Sequence, residues 1–239
     1  MSGGMGESSL ARSLCWHCQS KAGGEYFCDQ CIKIQPIAAH VDYFQRFGLP
    51  RHLTIDLQEL ERRFYELSRK FHPDFFQRSS DREQEISLQN SALLNNAYRT
   101  LRDPILRVEY LINLEEGAVK DIPAKAPPDL LEEILELQET LETYRERRKT
   151  DPGKSSNIKK ALLTERERIQ KKKAALENEL FGLFEEWDRL EDQRSRDVNE
   201  LQERRQSVIK RMKELLSARA YLRTVLADLD EGLLDHSEG

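Results

Sequence analysis

Residues 62–76, RRFYELSRKFHPDFF, decide the fold of this chain, because they carry the end of an amphipathic helix straight into a His-Pro-Asp turn. Asp56, with Glu59 three residues later, predicts where that helix begins, and Pro73 predicts where it ends. Apolar residues at steps of three and four form its buried face, namely Leu57, Leu60, Phe64, Leu67 and Phe71. A basic outward face lies off that stripe, at Arg62, Arg63, Arg69 and Lys70.

A second long helix is predicted on the far side of the turn. Ser80 and Glu83 have the spacing of a capping box, and the helical face that follows carries Ile86, Asn90, Leu93, Ala97 and Leu101. Short helices are predicted on either side of this pair, one from Asp42 to Phe47 and one that begins at Pro104. The stretch therefore predicts two longer antiparallel helices flanked by two short ones.

Four strings within residues 42–114 carry a resemblance to a known family: DYFQRFGLP, RRFYELSRKFHPDFF, ISLQN and LLNNAYRTLRDPILRVEYLI. They resemble the four-helix J-domain of the HscB family, whose members are co-chaperones of iron–sulfur cluster assembly. The chain departs from many J-proteins at Phe75, where those proteins have lysine.

The resemblance implies a docking role for the turn. His72, Pro73 and Asp74 are expected to contact a HscA/DnaK-type heat-shock chaperone and to promote ATP hydrolysis there. The basic face of the preceding helix is expected to steer toward an acidic patch on that chaperone, through Arg69, Lys70, Arg62 and Arg63. Any one of these cations is explained equally well as part of a solvated helix face.

Two CxxC pairs separated by nine residues lie near the N-terminus, at Cys15, Cys18, Cys28 and Cys31. Four thiolates at this spacing can complete a tetrahedral metal shell, and a segment this short has little core of its own without an ion. We predict structural zinc, with iron as the less favoured ion. Two disulfides or a redox dithiol are the alternatives without metal. Disulfides are disfavoured, because the sequence shows no secretion signal. Some HscB relatives carry such a module, so the resemblance supports it.

Residues 129–235 predict a three-helix bundle. The core face of its first helix carries Leu130, Ile134, Leu137, Leu141 and Tyr144. A second apolar strip, Leu131 and Leu135, lies about 100° around that helix and is bordered by Glu136 and Glu139. A further helix covering the strip would make it core. The resemblance implies instead that these four residues bind an IscU-type scaffold protein, with Tyr221 as a later contact. The family's further acidic contact falls on Thr143.

The expected fold is therefore all-α, with an N-terminal metal knuckle, a J-domain and a C-terminal bundle. A linker is predicted where three of the eight prolines cluster, and a break in the bundle is predicted at residues 150–157. The composition divides the chain into a flexible tail at 1–14, a tetracysteine module at 15–34, a segment of short helices at 40–115, a linker at 122–128 and a bundle at 129–235. The resemblance implies that the segment at 40–115 is the J-domain.

Composition narrows the classes of function. No run of 18 apolar residues occurs, which disfavours a membrane partner, and a net charge of -5 disfavours nucleic acid. The first ten residues resemble neither a secretory signal nor a transit peptide. We therefore expect the bacterial cytoplasm, with the mitochondrial matrix as the alternative.

The predicted function is that of a co-chaperone and not of an enzyme. It would bind an IscU-type scaffold and stimulate a HscA/DnaK-type ATPase. A J-domain co-chaperone for a different client is the alternative. A redox protein or enzyme built on the cysteines is a third hypothesis, disfavoured because the sequence offers no Ser/His/Asp set, phosphate-binding glycine loop or second metal cluster.

Overall fold

The computed structural model describes residues 14–21, 26–38, 41–117, 122–193 and 198–234, without the side chains of residues 149, 152 and 154. The predicted flexible tail, apart from Leu14, lies outside the described residues. Within them the regular secondary structure is helical, and the pairs Leu14–Lys21 and Phe27–Ile34 form isolated bridges. The prediction of an all-α fold is confirmed. The helices are α1 (Tyr43–Arg46), α2 (Leu57–Phe71), α3 (Asp81–Arg102), α4 (Pro104–Glu116), α5 (Leu131–Thr150), α6 (Pro152–Asp192) and α7 (Val198–Leu233).

The described residues fall into two compact units. One contains those up to Arg51 together with Ile55–Arg107, and the other contains His52–Thr54 and those from Val108 onward. The division lies inside α4 and not in the predicted linker at 122–128. Compactness does not test whether either part folds alone, so the predicted domain limits stay a prediction.

Helix α2 begins where the sequence predicts. The carboxylate of Asp56 accepts hydrogen bonds from the backbone N–H groups of Gln58 and Glu59, which otherwise have no partner in the first helical turn. Leu60 and Phe71 are fully buried, Phe64 and Leu67 are partly buried, and Leu57, in the first turn of the helix, is about half exposed. The predicted face therefore points inward except at its first residue, but only two of its five residues are fully buried.

Helix α3 begins at the predicted capping box of Ser80 and Glu83. On its buried face Leu94 takes the place predicted for Leu93, which is partly exposed. Both choices keep steps of three and four residues, so periodicity alone does not separate them.

The bundle core is built from three helices, as predicted. Leu130 and four residues of α5, Ile134, Leu137, Leu141 and Tyr144, are buried in it. Helices α6 and α7 supply the rest, namely Leu162, Ile169, Leu222, Val225, Leu229 and Leu233. A short 3-10 turn at Pro128–Leu130 precedes α5. The carboxylate of Asp129 accepts a hydrogen bond from Lys172 on α6 at 2.6 Å.

The predicted break at residues 150–157 is wrong. Helix α5 runs to Thr150 and α6 begins at Pro152, so only Asp151 separates them. Proline suits the first position of a helix, because the N–H that it lacks would have no partner there. The carbonyl of Asp151 already accepts a hydrogen bond from the Ser155 N–H at 3.2 Å.

The proline-rich segment is held against α7. The Ser217 hydroxyl donates to the Pro123 carbonyl at 2.5 Å, and the Lys125 N–H donates to the Ser217 carbonyl at 3.4 Å. Pro127 is buried.

None of the helices in the part of the chain that the structure describes is long and apolar enough to cross a bilayer.

Candidate functional site

The His-Pro-Asp turn is fixed by its own backbone. His72 leaves the helical conformation, at φ −57° and ψ 125°, and Pro73 starts a short 3-10 turn that runs to Phe76. The Phe75 N–H donates to the His72 carbonyl at 3.0 Å, and Nδ1 of His72 accepts the Asp74 N–H at 3.4 Å. The side chains of His72 and Asp74 are nevertheless more than half exposed. The turn therefore presents two polar groups from a defined backbone.

Both ends of the turn are tied into the protein. The Phe71 carbonyl, left without a helical partner at the end of α2, accepts hydrogen bonds from the hydroxyls of Ser87 at 2.6 Å and Ser91 at 3.0 Å on α3. Phe76 is buried, whereas Phe75 is largely exposed and meets the His72 ring edge-on at 6.1 Å. A rigid base under an exposed tip suits a surface that docks on a protein.

The basic face of α2 divides into two parts. Arg69 and Lys70 are exposed in the last turn, next to His72. The ammonium group of Lys70 lies 5.9 Å from the centre of the Tyr26 ring. Both cations are exposed, and their contact with an acidic partner stays a prediction.

Arg62 and Arg63 make contacts within the protein. Arg63 donates to the carbonyls of Phe47 at 2.5 Å and Gly48 at 2.6 Å. Hydrogen bonds from Arg62 and Arg63 lower the pKa of Glu59 to about 2. Arg63 thus has a structural role that its position in the sequence did not reveal, and the docking role of Arg62 and Arg63 stays a prediction.

The four cysteines converge on one point. Sγ of Cys15 lies 3.7 Å from Sγ of Cys31, and Sγ of Cys18 lies 3.7 Å from Sγ of Cys28. All four sulfurs lie within 4.8 Å of one another. Four thiolates at about 2.3 Å from a tetrahedral ion would be about 3.8 Å apart, whereas a disulfide needs about 2.0 Å. The cluster therefore fits a four-coordinate metal, and the residues can bind one.

The two cysteine pairs close in the same way. The Gln19 N–H donates to the Cys15 carbonyl at 3.1 Å, and the Ile32 N–H donates to the Cys28 carbonyl at 2.8 Å. Gln19 and Ile32 both have positive φ, 58° and 59°. That conformation is unusual for a β-branched residue, and the Ile32 side chain is 78% exposed. The second pair therefore carries local strain.

Ser20 favours the metal-binding form of the cysteines. Its hydroxyl lies 2.9 Å from Sγ of Cys18 and 3.4 Å from Sγ of Cys28. Hydrogen bonds from Ser20 lower the pKa of both thiols, whereas at Cys31 a backbone hydrogen bond from Lys33 is outweighed by burial and the neighbouring thiols, which raise the pKa. Because the thiolate is the ligand form, the bonds from Ser20 favour metal binding by Cys18 and Cys28.

The predicted scaffold-binding strip is exposed. Leu131 and Leu135 on α5 are 49% and 54% exposed, so no other helix of the described chain makes them core. Glu136 and Glu139 beside them are also exposed and have no ion-pair partner among the described residues. The structure thus brings these four residues together on one surface. Tyr221 lies on α7 and packs, partly buried, against the bundle core, and its role as a later scaffold contact stays a prediction.

Comparison with known proteins agrees with the resemblance that the sequence carries. The iron–sulfur cluster co-chaperone protein HscB of Mus musculus is 36% identical over 132 residues, which is 53% of this chain and 56% of the mouse protein. The HscB homolog of Arabidopsis thaliana is 37% identical over 127 residues, 53% of this chain and 50% of that protein. The resemblance to HscB is confirmed. The chain spans about half the length of these two HscB relatives, and no family model matches it.

The fold is also that of an HscB. The crystal structure of human co-chaperone protein HscB aligns with 92% of this chain and 98% of its own, with a TM-score of 0.57 and 22% identity. At that identity the likeness shows the fold alone. It agrees with the helical architecture and leaves the roles of individual residues as predictions.

Sequence reasoning missed how this HscB-like chain connects its cysteine module to α2 and α3. Asn90 was the one polar residue on the predicted apolar face of α3, and that was the available signal. It is buried, and its side-chain amide bonds to backbone groups of Gln35 and Ile37 that follow the module. A buried polar side chain on a helix face indicates a polar partner, but it does not identify which segment supplies it.

Proposed function

We propose that this chain is a J-domain co-chaperone of iron–sulfur cluster assembly. In this role His72, Pro73 and Asp74 contact a HscA/DnaK-type heat-shock chaperone and stimulate its ATPase, while Arg69 and Lys70 add electrostatic attraction. The observation that carries the proposal is the turn itself, with exposed polar side chains on a backbone tied down at Phe71 and Phe76. The names of the mouse and Arabidopsis relatives support the same role.

The client side of the proposal rests on α5. An IscU-type scaffold protein would cover Leu131 and Leu135, and Glu136 and Glu139 would pair with cations on that partner. Two large apolar side chains held half exposed on a well-packed helix are typical of a protein-binding surface. A co-chaperone with a different client is the alternative, because the strip does not by itself name its partner.

The tetracysteine module completes the proposal as a structural zinc site. Sulfur spacing of 3.7 Å fits zinc and also iron, and four thiolates leave no open position for catalysis. The chain would have no reaction of its own, since ATP hydrolysis belongs to the chaperone. We propose no nucleic-acid or membrane partner, and a bacterial cytoplasm or a mitochondrial matrix as its compartment.

Substitution of His72 tests the chaperone contact. We expect His72→Gln to leave helical content and the unfolding midpoint unchanged, because the side chain is exposed, and to abolish stimulation of a HscA-type ATPase. Gln89→Ala on the exposed face of α3 is the matched control and should stimulate normally. Full stimulation by His72→Gln would refute the assignment.

Substitution of the strip tests the client. We expect Leu131→Ala with Leu135→Ala to remove co-precipitation of an IscU-type scaffold. Leu163→Ala, which truncates an exposed leucine on α6 of the same unit, should leave binding intact. A scaffold that does not bind the unmodified chain would favour the alternative of a different client.

A further inference from the structure

We propose that Tyr26 of the tetracysteine module is a positioning residue for the His72-Pro73-Asp74 turn. The metal-loaded module would hold the last turn of α2 and the start of α3 in place, and so keep the turn ordered. This inference rests on the proposed function, because the order of the turn matters only if the turn docks on a chaperone.

The first contact is between aromatic rings at the end of α2. The Tyr26 ring meets the Phe71 ring edge-on, with centroids 5.1 Å apart, and the Phe27 ring lies nearly parallel to Phe71 at 6.4 Å. Phe71 is fully buried and directly precedes His72. The Tyr26 hydroxyl also donates to the Arg46 carbonyl at 3.4 Å. Two aromatic rings of the module therefore cover the residue from which the turn departs.

The second contact is at the start of α3, the helix that follows the turn. The ammonium group of Lys33 lies 2.9 Å from the Glu83 carboxylate. The same carboxylate oxygen accepts hydrogen bonds from the hydroxyl of Ser80 at 2.9 Å and from its N–H at 3.3 Å, which caps the helix. Further along α3, the side-chain amide of Asn90 donates a hydrogen bond to the Gln35 carbonyl at 2.9 Å and accepts one from the Ile37 N–H at 3.0 Å.

The module has contacts on both helices that flank the turn, and its own order depends on the cysteines. Tyr26 lies two residues before Cys28, and Lys33 lies two residues after Cys31. Between them the described module has only isolated bridges and no helix or strand. A segment with so little internal structure keeps its shape through its metal. Loss of the ion would therefore release Tyr26 from Phe71 and Lys33 from Glu83 together.

Amide hydrogen exchange on the full metal-loaded chain tests this directly. We expect Tyr26→Ala to bind one metal ion per chain as before. Its amides at residues 74–77 should exchange about 2- to 10-fold faster, the range for loss of one aromatic pair. Tyr26→Phe should behave like the unmodified chain, because it keeps the ring on Phe71 and loses only a hydrogen bond near the distance limit.

Two further measurements separate positioning from general stability. Removal of metal from the unmodified chain by a chelator should speed exchange at residues 74–77 at least as much as Tyr26→Ala does. It should have a smaller effect in that variant, because the contact of Tyr26 with Phe71 is already lost there and only the contact of Lys33 with Glu83 is left to release. Maximal ATPase stimulation should fall in Tyr26→Ala and be restored in Tyr26→Phe. If Tyr26→Ala does not fold, Lys33→Gln removes the second contact at a partly exposed residue and should also speed exchange.

The outcomes distinguish this inference from the proposed function. Unchanged exchange at residues 74–77 in both Tyr26→Ala and Lys33→Gln, with full stimulation, would overturn the positioning role and leave the co-chaperone role intact. Absence of stimulation by the unmodified metal-loaded chain would overturn the proposed function. Exchange would still decide whether the module orders the turn.

Discussion

Gly232 lies near the end of α7, where that helix packs against α5, and its replacement by alanine tests how closely the two helices approach. A Cβ atom at this position would lie 2.7 Å from Cδ1 of Leu141 and 3.2 Å from Nε of Arg145. Carbon atoms pack best at about 3.5–4.0 Å, so the new methyl overlaps Leu141 by roughly 1 Å. Leu141 is almost fully buried and has little space into which it can move.

The expected magnitude follows from two opposing effects. Overpacking of a filled core destabilises by about 1–3 kcal/mol, whereas replacing glycine by alanine within a helix stabilises by about 0.5–1 kcal/mol. We therefore expect Gly232→Ala to lower the free energy of unfolding by about 1–2 kcal/mol. Gly182 on α6 is the matched control, because a Cβ there meets no atom within 4 Å. Gly182→Ala should stabilise by about 0.5–1 kcal/mol.

Urea unfolding followed by circular dichroism measures both variants, and the difference between them removes the shared effect of helix propensity. A gap of about 2 kcal/mol in the free energy of unfolding supports the close approach of α7 to α5. Gly232→Ala that is as stable as Gly182→Ala would refute it. Helix α5, which carries Leu131 and Leu135, would then be less firmly placed than the structure indicates.

Three further predictions concern the module and its contacts. Ile32→Asn should bind metal about tenfold more tightly than the unmodified chain in competition with a chelator, because asparagine tolerates positive φ better than a β-branched residue. Unchanged or weaker metal binding would argue against strain at Ile32. Burial raises the pKa of Glu83, but hydrogen bonds from Lys33 and Ser80 outweigh it and lower the pKa below its ordinary value of 4.5. The stabilisation by Glu83 is therefore present above pH 4.5 and lost as the pH falls through the lowered pKa. The unfolding midpoint of Glu83→Gln should therefore decline less steeply below pH 4.5 than that of the unmodified chain. An identical decline in the two proteins would contradict this. Freshly purified chain should contain one zinc or iron ion, and replacing all four cysteines by serine should remove it; metal-free reduced chain would count against the site.

Local signals predicted the turn and the helix starts because the groups involved are neighbours in sequence. Asp56 and Ser80 cap their helices through residues two or three positions away, and Pro73 ends α2 by its own ring. The cysteine spacing was equally informative, since each pair closes through its own backbone. The exposure of Leu131 could not be predicted in this way, because sequence periodicity does not show whether another helix covers an apolar strip.

The errors come from partners distant in sequence or from rules that permit two answers. Arg63 satisfies carbonyls of a turn 15 and 16 residues away, and Tyr26 packs on Phe71 across 45 positions. No local pattern encodes either contact. Pro152 lies in the predicted break, yet proline both ends and begins helices. Whether a proline ends or begins a helix depends on where the preceding helix stops. Here α5 stops at Thr150, one residue before Pro152 could interrupt it, and Asp151 separates the two helices.

The central claim is that one chain links a scaffold to the ATPase of a chaperone, and the synergy between them tests it most directly. The measurement is steady-state ATP hydrolysis by a HscA/DnaK-type chaperone with this chain, with and without an IscU-type scaffold. We predict stimulation by the chain alone and further stimulation when the scaffold is added. The scaffold effect alone should be lost in Leu131→Ala with Leu135→Ala, and all stimulation in His72→Gln. Equal rates with and without scaffold, or undiminished rates in His72→Gln, would contradict the account.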